Sequence, residues 1–188
     1  MSRVCDAAML HPWEITASRY IVNDRWLRLR ADTCRRQDGL TIDPFYVLEK
    51  RDWVHVIPVL PDGRIVLVRQ YRHGAGIMCL EFPGGVTEPD EDPLVGAQRE
   101  LVEECGATGG TWSHVTTFYP NPARQSNQFH CYLARNVEET QAANLDPNEE
   151  IEVLRLTPTE IDAAIANGEF SQGNHIAAYL LARSQLVN

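Results

Sequence analysis

A chain of 188 residues with 44% hydrophobic content is long enough to bury a sizeable core and too apolar to be a disordered segment. Its net charge of −9, with no Lys/Arg-rich run to offset it, argues against nucleic acid as a main partner. No apolar run approaches membrane-spanning length, so no membrane is expected as a partner either.

The start, MSRVCDAAMLHPWEIT, lacks the basic opening and continuous apolar stretch of a signal peptide, which makes the cytoplasm the expected compartment. Cysteines at 5, 34, 79, 105 and 131 are odd in number, scattered and without a CxxC, so reduced thiols are expected. Segments 14–22, 26–33 and 41–48 are rich in Trp, Ile, Val and Leu and are broken by Asn23-Asp24 and Asp38-Gly39. They predict an antiparallel meander. Segments 53–60 and 64–70 read as a hairpin around Pro61-Asp62-Gly63. A short strand at 79–82 runs into a Pro83-Gly84-Gly85 turn, and strands follow at 111–118, 128–134 and 151–156. Helical periodicity marks 93–105, 158–167 and 174–186. The sum is α+β, with residues 1–50 expected as an N-terminal antiparallel β unit and 51–188 as the main domain.

The helix at 93–105 is well specified. Asp92 suits the N-cap, Pro93 the first helical position and Gly106 a left-handed C-terminus. Leu94, Ala97, Leu101 and Cys105 form its apolar stripe, while Glu100, Glu103 and Glu104 fall largely off it. Positions i, i+3 and i+4 share a face, so these three acids converge and repel one another unless a cation joins them. Hard divalent cations with oxygen ligands suit the set; the plainer reading is a solvated acidic face.

The surrounding pattern runs Gly85, five residues, Glu91, seven residues, Arg99-Glu100-Leu101, one residue, Glu103-Glu104, one residue, Gly106-Ala107. It resembles the Nudix box at every defined position, so the chain is identified as a member of the Nudix hydrolase superfamily. The resemblance implies a Nudix-type α/β/α sandwich with a mixed sheet. It implies Mg2+, with Mn2+ as the alternative, held by Glu100, Glu103, Glu104 and the carbonyl of Gly84. Arg99 and Glu91 would then be structural supports.

Outside the box the chain is similar to the branch that cleaves ADP-ribose and other nucleoside diphosphate sugars. Leu67-Val68-Arg69-Gln70-Tyr71-Arg72 resembles the strand leading to a substrate arginine, here Arg72. Leu80-Glu81-Phe82-Pro83-Gly84-Gly85 matches the approach to the box, and Pro122, sixteen residues past Gly106, matches a proline associated with ADP-ribose cleavage. Asn148-Glu149-Glu150-Ile151-Glu152 resembles the acidic loop supplying a general base, Glu149 first and Glu150 second. The branch uses its N-terminal unit for dimerisation and base stacking, which implies the aromatics Tyr46 and, just beyond that unit, Trp53 as substrate contacts; Arg51 resembles a substrate arginine of the branch. One departure stands out: Ala123-Arg124-Gln125-Ser126-Asn127 replaces a glycine-rich acidic loop, Asn127 taking a carboxylate's slot. Arg124 offers instead a cation for a phosphate or sugar hydroxyl.

The expected function is thus hydrolysis of the pyrophosphate of ADP-ribose or a related nucleotide sugar, by a homodimer. Rivals are another Nudix substrate (dinucleoside polyphosphate, GDP-mannose, coenzyme A or a nucleoside triphosphate) and a silent nucleotide sensor. The upstream motif of coenzyme A enzymes is not seen.

Overall fold

The computed structural model describes residues 10–145 and 147–186, so Cys5, counted among the expected thiols, lies outside the described residues. Two compact units result, one of residues up to Lys50 with Asn121–Ser126, the other of Arg51–Pro120 and Asn127 onward.

The first unit is a three-stranded antiparallel sheet of β1 (Glu14–Asn23), β2 (Arg28–Arg35) and β3 (Thr41–Glu49), in the order β1-β2-β3. The meander expected from the sequence is present. Asp24 explains its first turn, accepting the Trp26 and Leu27 N–H groups at 2.7 and 2.8 Å. Buried Asp32 is held by Arg30 at 2.8 Å and Ser18 at 2.6 Å. The excursion at 121–126 joins this unit through Leu48, whose N–H donates to Arg124 O at 2.7 Å.

The second unit carries a seven-stranded mixed sheet, its main path ordered β10-β5-β4-β9-β8. In chain order it comprises β4 (Trp53–Val59), β5 (Ile65–Arg72), β6 (Ile77–Glu81), β7 (Gly84–Val86), α1 (Pro93–Cys105), β8 (Ala107–Phe118), β9 (Phe129–Glu139), β10 (Ile151–Leu156), α2 (Pro158–Ala166) and α3 (Gly173–Ala182). Helices cover both faces. Leu101 and Cys105 of α1 pack with Val56, Val66, Val68 and Ala134, while Ile161 of α2 and Tyr179 of α3 pack with Ile57, Ile65, Leu67 and Leu133. β4 and β5 read as apolar runs rather than alternations because each is buried on both faces.

The hairpin expected at 53–60/64–70 is present, β4 and β5 pairing antiparallel at Val59↔Ile65 with Leu60 N–H donating to Arg64 O at 2.8 Å, but its ladder is short. The reason is competition for the β4 edges: β9 takes one in parallel from Trp53↔Phe129 to Val59↔Arg135, and β7 takes the other from Trp53↔Val86 to His55↔Gly84. The Gly84-Gly85 turn is therefore itself a short strand. The final helix stops at Ala182 and tightens into a 3-10 turn at Arg183–Gln185, short of the predicted 186. Among the described residues no helix is long and apolar enough to cross a membrane.

Candidate active site

Helix α1 begins and ends as its sequence dictates. The Asp92 side chain accepts the Leu94 N–H, and Gly106 closes the helix at φ 62°. A side chain on Gly106 would meet Gln141 O at 2.0 Å, so close packing as well as conformation selects glycine. The apolar stripe faces the sheet, yet Glu100 and Glu104 are buried with it, at 9% and 3% exposure. A solvated acidic face is thereby excluded for these two acids.

The two glycines before the box make room for them. A Cβ on Gly85 would lie 2.5 Å from Glu100 Oε1, and one on Gly84 would lie 2.2 Å from Val54 O. Gly84 N–H donates to Glu104 Oε2 at 2.8 Å. Arg99 organises the rest of the cluster. Its Nε donates to Glu91 at 3.0 Å, and its Nη1 donates to Glu100 at 2.9 Å and to Glu103 at 2.8 Å. These hydrogen bonds, the one to Glu91 foremost, hold the guanidinium well above its ordinary range, and Glu91 is lowered in return. Arg99 and Glu91 thus occupy the supporting places expected of them.

Electrostatically the acids remain unhappy. Burial, reinforced by the charges of Glu100 and Glu149, pushes the Glu104 carboxyl up to about 8, against the pull of Gly84 N–H and Arg72. Glu100 is also raised, first by burial and then by Glu103 and Glu149. No group of three or more His, Cys, Asp or Glu side chains among the described residues converges to hold a metal as arranged. Glu100 and Glu103 are turned onto Arg99, and Glu104 onto the Gly84 N–H. The donor set nevertheless fits a hard divalent cation: oxygen ligands only, one of them a buried acid destabilised by like charge. Exchange of Arg99 for the cation at Glu100 and Glu103 would complete it.

Arg72, at the end of β5, grips Glu81 at the end of β6, Nε to Oε1 at 2.9 Å. Burial of Glu81 opposes ionisation, but Arg72 foremost, with His175 and Cys79, keeps the acid low. Arg72 is raised first by its hydrogen bond to Glu81, and the Glu104 charge adds to this. Beside them His175 Nδ1 accepts the Phe82 N–H at 2.9 Å, and the His55 ring stacks on His175 at 4.5 Å. Among the described residues neither ring nitrogen of buried His55 has a hydrogen-bond partner. Sequence reasoning passed over Glu81 and His55. The available signal was a lone acid and a lone histidine inside otherwise apolar strand runs.

The other expected residues are distributed as follows. Glu149, just before β10, is exposed, and its charge is felt at Glu100 and Glu104. Arg51 Nη1 reaches Glu88 at 3.4 Å on the surface of the second unit, and the Trp53 ring lies 6.2 Å from Phe129. Tyr46 and Arg124 belong to the first unit. There the Arg124 guanidinium lies 5.2 Å over the Phe45 ring, Trp13 meets that ring edge-on at 5.8 Å, and Tyr46 is exposed. Asn127 is buried, its Oδ1 without a hydrogen-bond partner among the described residues, so it presents no carboxamide at the surface.

The model described as the NUDIX domain matches residues 49–179, and that of the nucleoside diphosphate sugar hydrolase N-terminal domain matches residues 13–48. The chain is 33% identical over 105 residues to the ADP-ribose pyrophosphatase of Bacillus subtilis (strain 168), covering 55% of this chain and 57% of that one. It therefore spans little more than half of that relative's length. To the ADP-sugar pyrophosphatase of Mus musculus it is 28% identical, across 89% of this chain and 86% of the relative. A crystal structure of an ADP compounds hydrolase has the same fold, with a TM-score of 0.84 at 19% identity over 95% of this chain and 96% of that one.

Proposed function

Because the chain belongs to the NUDIX family, we propose that it hydrolyses the pyrophosphate of ADP-ribose or a related nucleoside diphosphate sugar with Mg2+, releasing a nucleoside monophosphate and a sugar phosphate. The observation that carries this reading is the raised, buried Glu104 carboxyl beside Gly84, within reach of the charges of Glu100, Glu149 and Arg72. Relatives that act on ADP-ribose and ADP-sugars support the substrate class.

Glu100, Glu103, Glu104 and the Gly84 carbonyl would hold the cation. When bound, it neutralises phosphate charge and acidifies water. The chain's own residues do the rest. Glu149 accepts a proton from the attacking water, with Glu150 as the alternative base. Glu149 is favoured because its charge is felt at the carboxylates of α1. Arg72 and Arg51 offer cations to the diphosphate, bidentate in the case of a well-set guanidinium. Trp53 offers its ring to the nucleoside, and the family resemblance adds Tyr46 and Arg124 of the N-terminal unit as further substrate contacts. The Arg124 loop, with Asn127 withdrawn into the interior, favours a range of sugars wider than ribose alone.

We place the protein in the cytoplasm as a homodimer built on the N-terminal unit; free Cys34, Cys79, Cys105 and Cys131 fit a reducing compartment. A Mg2+-containing panel of ADP-ribose, ADP-glucose, GDP-mannose, UDP-glucose and a diadenosine polyphosphate, with products separated by chromatography, tests the reading. Monophosphate release from a nucleotide sugar is expected. Turnover confined to the dinucleotide would move the protein to another substrate class, and binding without turnover would make it a sensor.

A further inference from the structure

We propose that Glu81 is a positioning residue for substrate binding, acting through Arg72. The inference rests on the proposed function above and deepens it, since Arg72 is there the cation that meets the diphosphate.

Glu81 is 1% exposed at the end of β6, where an ionised carboxylate is expensive unless it is both paired and hydrogen-bonded. Its partner comes from its own hairpin. Arg72 stands opposite Ile77 in the β5–β6 register, and Glu81 stands opposite Val68. The arginine side chain therefore runs back along the hairpin to reach the acid, with Nε donating to Oε1 at 2.9 Å and Nη2 donating to Oε2. This contact uses the Nε–Nη2 edge of the guanidinium. A guanidinium is a rigid planar fork of five donors, so holding one edge fixes the direction of the other. The Glu104 charge is also felt at the Arg72 guanidinium, which sets the arginine near the carboxylates of α1.

A long flexible side chain loses rotamer freedom when it binds a ligand, and that cost is removed if the fold has already fixed it. Glu81 performs this service for Arg72. The arginine side chain is nearly half exposed, while the acid that holds it is enclosed, an asymmetry suited to a presented cation rather than to a core ion pair. The neighbouring hydrogen bond from Phe82 N–H to His175 Nδ1 fixes the backbone just after Glu81, so the anchor is itself anchored. A pair that only closed the hairpin would have no reason to influence substrate affinity.

The test is steady-state hydrolysis of ADP-ribose with Mg2+ by the full chain and its E81Q, E81D, R72A and E81Q/R72A variants, with a thermal melt on each. E81Q is expected to raise KM about tenfold with kcat within about threefold, and E81D to fall between E81Q and the unsubstituted protein. On the R72A background E81Q is expected to add almost nothing to KM, because the two residues act as one. If R72A raises KM while folded E81Q does not, or if the two effects simply multiply, the positioning role is overturned and the proposed function stands. If E81Q does not fold, a KM for E81D equal to that of the unsubstituted protein overturns it equally. If R72A leaves KM unchanged, the assignment of Arg72 in the proposed function is wrong and the role of Glu81 falls with it.

Discussion

Glu104 accepts the backbone N–H of Gly84 at 2.8 Å, so the acid of α1 and the short strand before it are joined through one buried bond. A carboxamide can accept the same bond without the charge. Glu104→Gln is therefore expected to keep its fold by circular dichroism while ADP-ribose turnover falls by about 10²-fold or more. A folded variant with near-normal kcat would remove Glu104 from the metal set.

The same acid links stability to pH. Its folded pKa of about 8 lies above the ordinary 4.5, so the folded state keeps a proton that the unfolded state releases. Stability from this group is fully present below 4.5 and is lost as pH rises through about 8, by at most about 5 kcal/mol. Mg2+ favours the ionised form, so its stabilising effect should grow across that window. Melting curves with and without Mg2+ on the acid and alkaline sides of neutrality check this; an equal Mg2+ shift on both sides would contradict it.

Gly85 tests the cradle rather than the acid. A Cβ there would sit 2.5 Å from Glu100 Oε1, and that carboxylate must shift to admit it. Gly85→Ala is expected to lower kcat about 10²-fold, the cost of roughly an ångström of misplacement at a reacting centre, with little change in melting temperature. Unchanged turnover would show that Glu100 is free to move without consequence.

Burial depresses His175 to about 4, and His55 is lowered in the same direction by burial and by His175. The unfolded state takes up these protons first, so stability present above 6.5 is lost as pH falls towards 4, by at most about 3 kcal/mol for His175. Because His55 buries two unpartnered nitrogens, His55→Leu should raise stability by about 1 kcal/mol and flatten the acid limb. Urea midpoints across that range measure both effects; a destabilised His55→Leu protein would point to a bound water at the ring.

Glu149 and Glu150 are separated by paired Gln substitutions. Loss of turnover by about 10²-fold is expected for Glu149→Gln and not for Glu150→Gln, within the range of a general base. The reverse outcome exchanges their roles.

Much of this was legible in the chain because local signals were strong. Asp92, Pro93 and Gly106 delimit α1 within a few residues, and the turn residues Asn23-Asp24 and Asp38-Gly39 separate the strands of the first sheet. What stayed hidden was set by distant pairing. Proximity in sequence shows the turn that joins β4 to β5, but nothing near Trp53–Val59 announces that β9 takes one edge of β4 and that β7 shares the other. Glu100 and Glu104 fall off the apolar stripe in sequence, yet the glycines of β7 let the sheet close over them. Glu81 sits in the approach to the box, but its place in that run assigns it no role; the reach of Arg72 does.

The parallel pairing of β4 with β9 also sets an order in time. Every proposed metal ligand precedes Gly106, but the strand that flanks β4 begins only at Phe129. A ribosome-bound chain halted after α1 would carry every carboxylate of the box and still lack three of the seven strands of the sheet. Contacts so far apart in sequence form slowly, so the central sheet closes only after the strand up to Arg135 has been made, and the proposed base Glu149 follows later still.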